Sequence, residues 1–100
     1  MGGEVPPLEG FREAWFMNLE ILTPSGKTYS GDVIGVQLPG IGGSFEVLDN
    51  HAPLVSALKP GQLKILVEQN RNELFSIQSG FVEVLNNKVT VLVEGSKPVE

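Results

Sequence analysis

From Met17 onward the chain alternates apolar and polar side chains with a period of two, the repeat that sends successive side chains to opposite faces of a sheet. Met17, Leu19 and Ile21 are separated by Asn18 and Glu20; Leu63, Ile65 and Val67 stand among Gln62, Lys64 and Glu68; Val89, Val91 and Val93 alternate with Lys88, Thr90 and Glu94. These runs predict three half-buried strands. Shorter runs at 27–29, 32–38, 44–48, 54–58, 73–79 and 81–85 are each bounded by Gly, Pro, Asn or Asp and add further strands. No window of a dozen residues keeps an i, i+3, i+4, i+7 apolar pattern, which excludes a βαβ fold. The expected class is all-β, a flattened barrel or β-sandwich of about nine to ten short, mostly antiparallel strands.

The punctuation between runs predicts which strands pair. Asn86-Asn87 separates two apolar runs, and paired Asn tolerates the positive φ angles of a two-residue hairpin turn. Asn70-Arg71-Asn72 is expected to play the same part between 63–69 and 73–79, and Pro24-Ser25-Gly26 to join the first two strands. Two stretches are apolar on both faces: Ile34, Val36 or Leu66 falls opposite the core-facing set, as does Leu22 in the first strand. Either a strand crosses between sheets there, or an apolar patch is exposed for docking.

The chain is expected to divide into an N-terminal extension over 1–16, a sandwich domain over 17–94 and a C-terminal tail over 95–100. The extension holds Gly2, Gly3, Pro6, Pro7 and Gly10 and lacks any sustained period before Phe11, Trp15 and Phe16. It has neither the basic start and apolar stretch of a secretory signal nor the Arg-rich, acid-poor character of a transit peptide. Met17 is an alternative start.

Composition narrows the chemistry. One hundred residues form one domain. Seven Lys and Arg against twelve Asp and Glu give a net charge of −5, which argues against a nucleic-acid partner because a phosphate-tracking surface needs clustered cations. With no Cys and a single His, thiolate and multi-histidine metal sites are excluded. No apolar run approaches the roughly 20 residues of a spanning helix, so no direct membrane insertion is expected.

His51 is the one side chain suited to general-base work at neutral pH, with Asp49 and Ser56 close by in sequence. Residues so near on an extended chain rarely converge as a triad requires, and a small hydrolase is the weakest reading. Asp49-Asn50-His51-Ala52-Pro53 reads better as a tight turn presenting His51 at a loop tip. Gly40-Ile41-Gly42-Gly43 lacks the Lys-Ser or Lys-Thr of a phosphate loop and suits a tight turn. Glu20, Asp32, Glu46, Glu68, Glu73 and Glu83 are scattered singly, without cation-loop spacing, and read as surface solvation. No catalytic residue, metal or cofactor is expected.

The segment from Leu38 to Gly61, with Gly42-Gly43-Ser44-Phe45-Glu46-Val47, then His51-Ala52-Pro53-Leu54 and Leu58-Lys59-Pro60-Gly61, resembles the ε subunit of rotary F-type ATP synthases. Flanking segments are similar too: Leu19-Glu20-Ile21-Leu22-Thr23-Pro24, Tyr29-Ser30-Gly31-Asp32-Val33, and Ser79-Gly80-Phe81-Val82-Glu83-Val84 followed by Val89-Thr90-Val91-Leu92. Asn50 departs from a usual Gly before the His, and Ser79 replaces the first of a common Gly pair; Asn tolerates the left-handed region that Gly would occupy.

The resemblance implies a non-catalytic subunit of the central stalk. It would dock on the γ subunit and on the c-ring and so couple ion translocation to ATP synthesis. Carried over by position, it implies Gly42, Gly43 and Ser44 toward the c-ring, Thr23, His51 and Ser56 toward γ, and Leu22, Ile41 and Val55 as weaker apolar contacts. It also implies a peripheral location in the synthase at the cytoplasmic face of the bacterial plasma membrane. The likeness covers the N-terminal sandwich alone, without the C-terminal helical hairpin that restrains rotation in many members, so coupling without that brake is expected. The competing reading is an unrelated, non-enzymatic β-sandwich binding module.

Overall fold

The computed structural model describes residues 16–99, and these form ten strands with no helix among them. In chain order they are β1 Met17–Thr23, β2 Gly26–Val33, β3 Gly35–Gly40, β4 Gly43–Leu48, β5 Leu54–Leu58, β6 Gly61–Glu68, β7 Arg71–Ile77, β8 Gly80–Leu85, β9 Lys88–Val93 and β10 Ser96–Pro98. The all-β expectation holds. Residues 1–15 of the expected extension, including Phe11 and Trp15, lie outside the described residues.

The alternating runs deliver the core. Met17, Leu19 and Ile21 of β1, Leu63 and Ile65 of β6, and Val89, Val91 and Val93 of β9 are buried, joined by Val82 and Val84 of β8 and Phe75 and Ile77 of β7. Val67, expected with them, is half-buried against the same cluster. A period-two pattern leaves the opposite face of each strand outward, and that face carries the surface described below.

The ladder runs β10-β7-β6-β3-β5-β8-β9-β1-β2, with β4 attached to β3. Every pairing is antiparallel except β1 with β9, which lie parallel, Leu19 opposite Val89 and Ile21 opposite Val91. A parallel pair cannot be made by a hairpin, so the first strand is laid beside a strand from the far end of the sandwich sequence. No turn signal announces that pairing.

Four non-glycine residues have positive φ among the described residues, and all are Asn: Asn50 at 65°, Asn70 at 65°, Asn86 at 51° and Asn87 at 62°. Asn86-Asn87 makes the expected hairpin of β8 and β9. The β6–β7 turn sits earlier than the residues suggested: Glu68 pairs Arg71, so the loop is Gln69-Asn70, and Arg71 and Asn72 belong to β7. A register shift between Leu66 and Glu68 absorbs the odd residue that the alternating pattern had pushed into the turn.

The two-faced apolar run is explained by a change of partners. Val33 closes β2 opposite Met17, and two residues later Gly35 pairs Leu48 and Leu66. The single residue between, Ile34, donates its N–H to the Leu66 carbonyl at 2.9 Å. The chain crosses from one side of the sandwich to the other at Ile34, so both faces of this stretch meet apolar neighbours in turn. β2 consequently runs unbroken through Ser30 and Gly31, where the residues had suggested a break. Ser96–Pro98, expected as part of a tail, pairs with β7 as β10.

Candidate functional site

The outward side chains of β5, β8, β9 and β1 compose the candidate interaction surface. Register places Ala57 opposite Phe81, Phe81 opposite Leu92, and Leu92 beside Leu22, one apolar row crossing four strands. Phe81 is 57% exposed and Leu92 49% exposed, while Leu22 is half-buried. The row ends in a shallow cleft of about 370 Å³ lined by Leu22, Thr23, Pro24, Gly80, Phe81, Leu92, Val93 and Glu94. The next row along the strands is mixed: Val55, 72% exposed, then Glu83, Thr90 and Glu20. Glu20 is ion-paired with Lys27 at 3.3 Å and Lys88 at 3.8 Å, so the apolar row is bordered by a polar one.

Thr23 closes this end of the sheet. Its hydroxyl accepts the Ser25 N–H at 3.2 Å and donates to the Gly26 carbonyl at 3.1 Å, fixing the β1–β2 turn beside the cleft. The β3–β4 hairpin lies at the same end. Ile41, 65% exposed at its tip, donates its N–H to the Ala57 carbonyl at 3.2 Å, tying the tip to the start of the apolar row. Gly42, Gly43 and Ser44 are exposed. Gly43 has φ of 134°, a conformation that side chains other than Gly rarely adopt, whereas a Cβ on Gly42 would meet open space.

His51 and Ser56 stand apart from Thr23. Ser56 is half-buried and follows the inward alternation of Leu54 and Leu58, so its hydroxyl is not on the outward row. His51 follows β4 at the opposite end of the sandwich, beside the β8–β9 turn; six residues of β9 separate the two ends by about 17 Å. The His51 N–H bonds the Leu48 carbonyl at 3.1 Å, which closes the tight turn expected at 49–53, with Asn50 in the positive-φ position. The three residues expected toward γ are therefore not contiguous, whereas Thr23, Leu22 and Ile41 are gathered at one end.

A smaller apolar cluster lies on the other sheet. A Cβ on Gly35 would sit 2.7 Å from Leu48 Cδ2 and 3.0 Å from Leu66 Cδ1, so the glycine lets these two leucines close over the backbone. Among the described residues there is no group of His, Asp and Glu able to hold a metal ion, and no helix long and apolar enough to cross a membrane. Arg71 pairs Glu68 at 3.0 Å and Glu73 at 3.7 Å, so these two carboxylates, expected only to solvate the surface, share one exposed cation.

Phe81 and Leu92 were missed from the sequence. Phe81 reads as core because it precedes an alternating run, yet Val82 and Val84 take the inward positions and leave Phe81, Glu83 and Leu85 outward. The available signal was Leu92 in the wrong phase of the Val89, Val91, Val93 series.

Residues 16–98 match the family model described as the β-sandwich domain of the ATP synthase delta/epsilon chain. The ATP synthase epsilon chain of a Nitratiruptor species is 45% identical over 84 residues, covering 84% of this chain and 65% of the relative. That of Chlorobium limicola is 40% identical over 76 residues, covering 76% of this chain and 86% of the relative. The chain spans 60% of the epsilon chain of Salinibacter ruber, to which it is 38% identical. Among solved structures, a chain of the Euglena gracilis mitochondrial ATP synthase, OSCP/F1/c-ring in rotational state 1, superposes with a TM-score of 0.79 at 20% identity, over 98% of this chain and 57% of that one. A chain of the Tetrahymena thermophila mitochondrial ATP synthase central stalk and c-ring gives 0.69 at 20% identity, over 81% and 65%. At that identity the likeness is one of fold.

Proposed function

We propose a mechanical role for this chain, which belongs to the ATP synthase delta/epsilon β-sandwich family: it serves as a non-catalytic subunit of the rotor, gripping γ through the outward row on β5, β8, β9 and β1 and meeting the c-ring through the β3–β4 tip. The family membership sets aside an unrelated binding module of the same architecture. The observation that carries the reading is the row Ala57, Phe81, Leu92 and Leu22, apolar and outward on a body whose core is otherwise filled. Surface of that kind suits a subunit held within a complex, since a buried interface centre is apolar and rimmed by polar groups.

Torque transfer needs stiffness between two contact surfaces rather than acids and bases. The Ile41 N–H to Ala57 bond and the β5–β8–β9–β1 ladder join the hairpin tip to the row through backbone hydrogen bonds, so a force on one is felt at the other without a flexible linker. Thr23 and the cleft beside it belong to the γ-facing surface on this reading, with Ile41, Gly42, Gly43 and Ser44 nearer the ring. Val55 rims the row, and His51 gives a contact outside it, while Ser56, in the inward phase of β5, is left out of the γ surface. The chain then works as a peripheral part of the membrane complex, on the cytoplasmic side in a bacterium.

The experiment is reconstitution of the complete synthase in vesicles with and without this chain. Omission is expected to abolish ATP synthesis driven by an ion gradient. Unchanged gradient-driven synthesis without the chain overturns the proposal.

A further inference from the structure

The densest polar network among the described residues surrounds a side chain with no part in the outward row. Asn87, second residue of the β8–β9 turn, directs its carboxamide at the β4–β5 turn. Its Oδ1 accepts the Asn50 N–H at 2.7 Å, and its Nδ2 donates to Asp49 Oδ1 at 2.7 Å and to the Phe16 carbonyl at 3.2 Å. Its backbone carbonyl accepts the Asn18 N–H at 3.1 Å. The amide orientation is determined by its partners, because the flipped form would face an N–H with an NH₂ and a carboxylate with a carbonyl oxygen.

The turn so held carries His51, whose ring is fixed in its own way. Nδ1 lies 2.7 Å from the Ala52 carbonyl. A carbonyl oxygen can only accept, so Nδ1 bears the proton, and in the neutral ring Nε2 is left with a lone pair. Free histidine side chains favour the other tautomer, with the proton on Nε2. His51 is exposed, so the free nitrogen is available to a partner.

We propose that Asn87 is a positioning residue: its carboxamide latches the Asp49–Asn50 turn so that His51 meets the partner as a hydrogen-bond acceptor through Nε2. The partner group must then be a donor, such as an amide N–H, a hydroxyl or a cationic side chain. The choice of partner rests on the rotor reading, in which that partner is γ. The latch itself stands on the geometry of this chain.

The test begins with the full chain in mildly alkaline buffer, where imidazole side chains are neutral. Nitrogen NMR is expected to show His51 mainly as the Nδ1–H tautomer, with a slowly exchanging Asn50 amide. Asn87→Gly keeps the hairpin, because Asn-Gly is a favoured sequence for a two-residue turn with positive φ at both positions. It is expected to speed Asn50 exchange at least tenfold and return the ring toward the Nε2–H form. Affinity for purified γ is expected to fall about fivefold in Asn87→Gly and about tenfold in His51→Ala, with the double variant no weaker than His51→Ala, as for residues acting through one another.

A wild-type ring in the Nε2–H form, or an Asn50 amide and ring indifferent to Asn87→Gly, overturns the latch. Additive losses of affinity overturn the claim that Asn87 acts through His51. If wild-type chain fails to bind γ at all, the rotor reading and the acceptor role fall together, while tautomer and exchange still decide the latch.

Discussion

Tyr29 and Phe75 meet edge to face, with ring centroids 5.7 Å apart and planes at 77°, across two strands that are not paired with each other. β2 ends the ladder on one side and β7 lies one strand from its other end, so the rings close the sandwich where backbone pairing does not. Phe75→Ala is expected to lower stability by about 3–5 kcal/mol through the cavity it leaves. Tyr29→Phe keeps the ring and is expected to stay within about 1 kcal/mol. Denaturant midpoints measure both; equal losses would shift the stabilising role from the ring pair to the Tyr29 hydroxyl.

The same tyrosine predicts an alkaline response. Burial, with a smaller contribution from the Glu73 carboxylate, raises its pKa above the ordinary value, and Arg71 opposes the shift. The folded state therefore holds the phenolic proton more tightly than the unfolded chain. The stability this contributes is complete below the unfolded pKa of about 10 and is lost as pH rises through the folded pKa. As the chain has one Tyr, tyrosinate absorbance reports it directly. Tyr29→Phe should flatten that part of the stability profile, and an unchanged slope would assign it to other groups.

Phe81 offers a test of docking separate from folding. Phe81→Ser removes the largest outward apolar side chain of the row and should leave stability within about 1 kcal/mol, as at exposed positions generally. Affinity for γ should drop about tenfold or more, the loss of an aromatic anchor. Calorimetric titration against γ, with thermal unfolding alongside, separates the two; full affinity would remove the row from the interface.

Two glycines should answer differently to the same methyl group. A Cβ on Gly80 would lie 2.0 Å from the Leu92 carbonyl oxygen and 2.7 Å from Val93 Cα, backbone atoms that cannot swing aside. Gly80→Ala is expected to cost about 3 kcal/mol by forcing β8 from β9. Gly42→Ala meets open space and should be neutral in the isolated chain. Unfolding midpoints of the pair decide this, and a neutral Gly80→Ala would mean that the β8–β9 backbones have room to separate.

Ser44 is exposed on β4 next to the hairpin tip. Ser44→Glu should leave thermal stability within about 0.5 kcal/mol while weakening assembly with a purified c-ring. Co-sedimentation with ring-containing vesicles measures it, and undiminished binding would put the ring contact elsewhere.

Much of this molecule could be read from local pattern, because most of its structure is made locally. The inward set of β1, β6 and β9, the Asn86-Asn87 hairpin and the positive φ of Asn50 each follow from a few adjacent residues. The β1–β9 pairing does not, because a parallel neighbour is chosen by the whole packing rather than by a turn. The turn at Gln69-Asn70 was displaced by a bulge that breaks the alternation on which the reading relied. At the site, Gly42, Gly43, Ser44 and Thr23 came by position from the family resemblance, whereas local pattern gave only the tight turn. Phe81 and Leu92 form a row only through cross-strand register, which a linear pattern does not contain. Asn87 is legible in the sequence as a turn residue but not as a latch, because its carboxamide meets the Phe16 carbonyl from 71 residues away.

That separation bears on how the domain comes into being. β1 is made before the other strands but has no neighbour on one side until β9 exists, so a growing sandwich carries an open apolar edge through nearly all of its synthesis. Closing so long a loop is costly in entropy before any of its contacts are gained, which favours slow, late folding in a single concerted step. During that interval the edge beside Leu19 and Ile21 is open to pairing with another nascent copy, the hazard of a strand whose partner is made last.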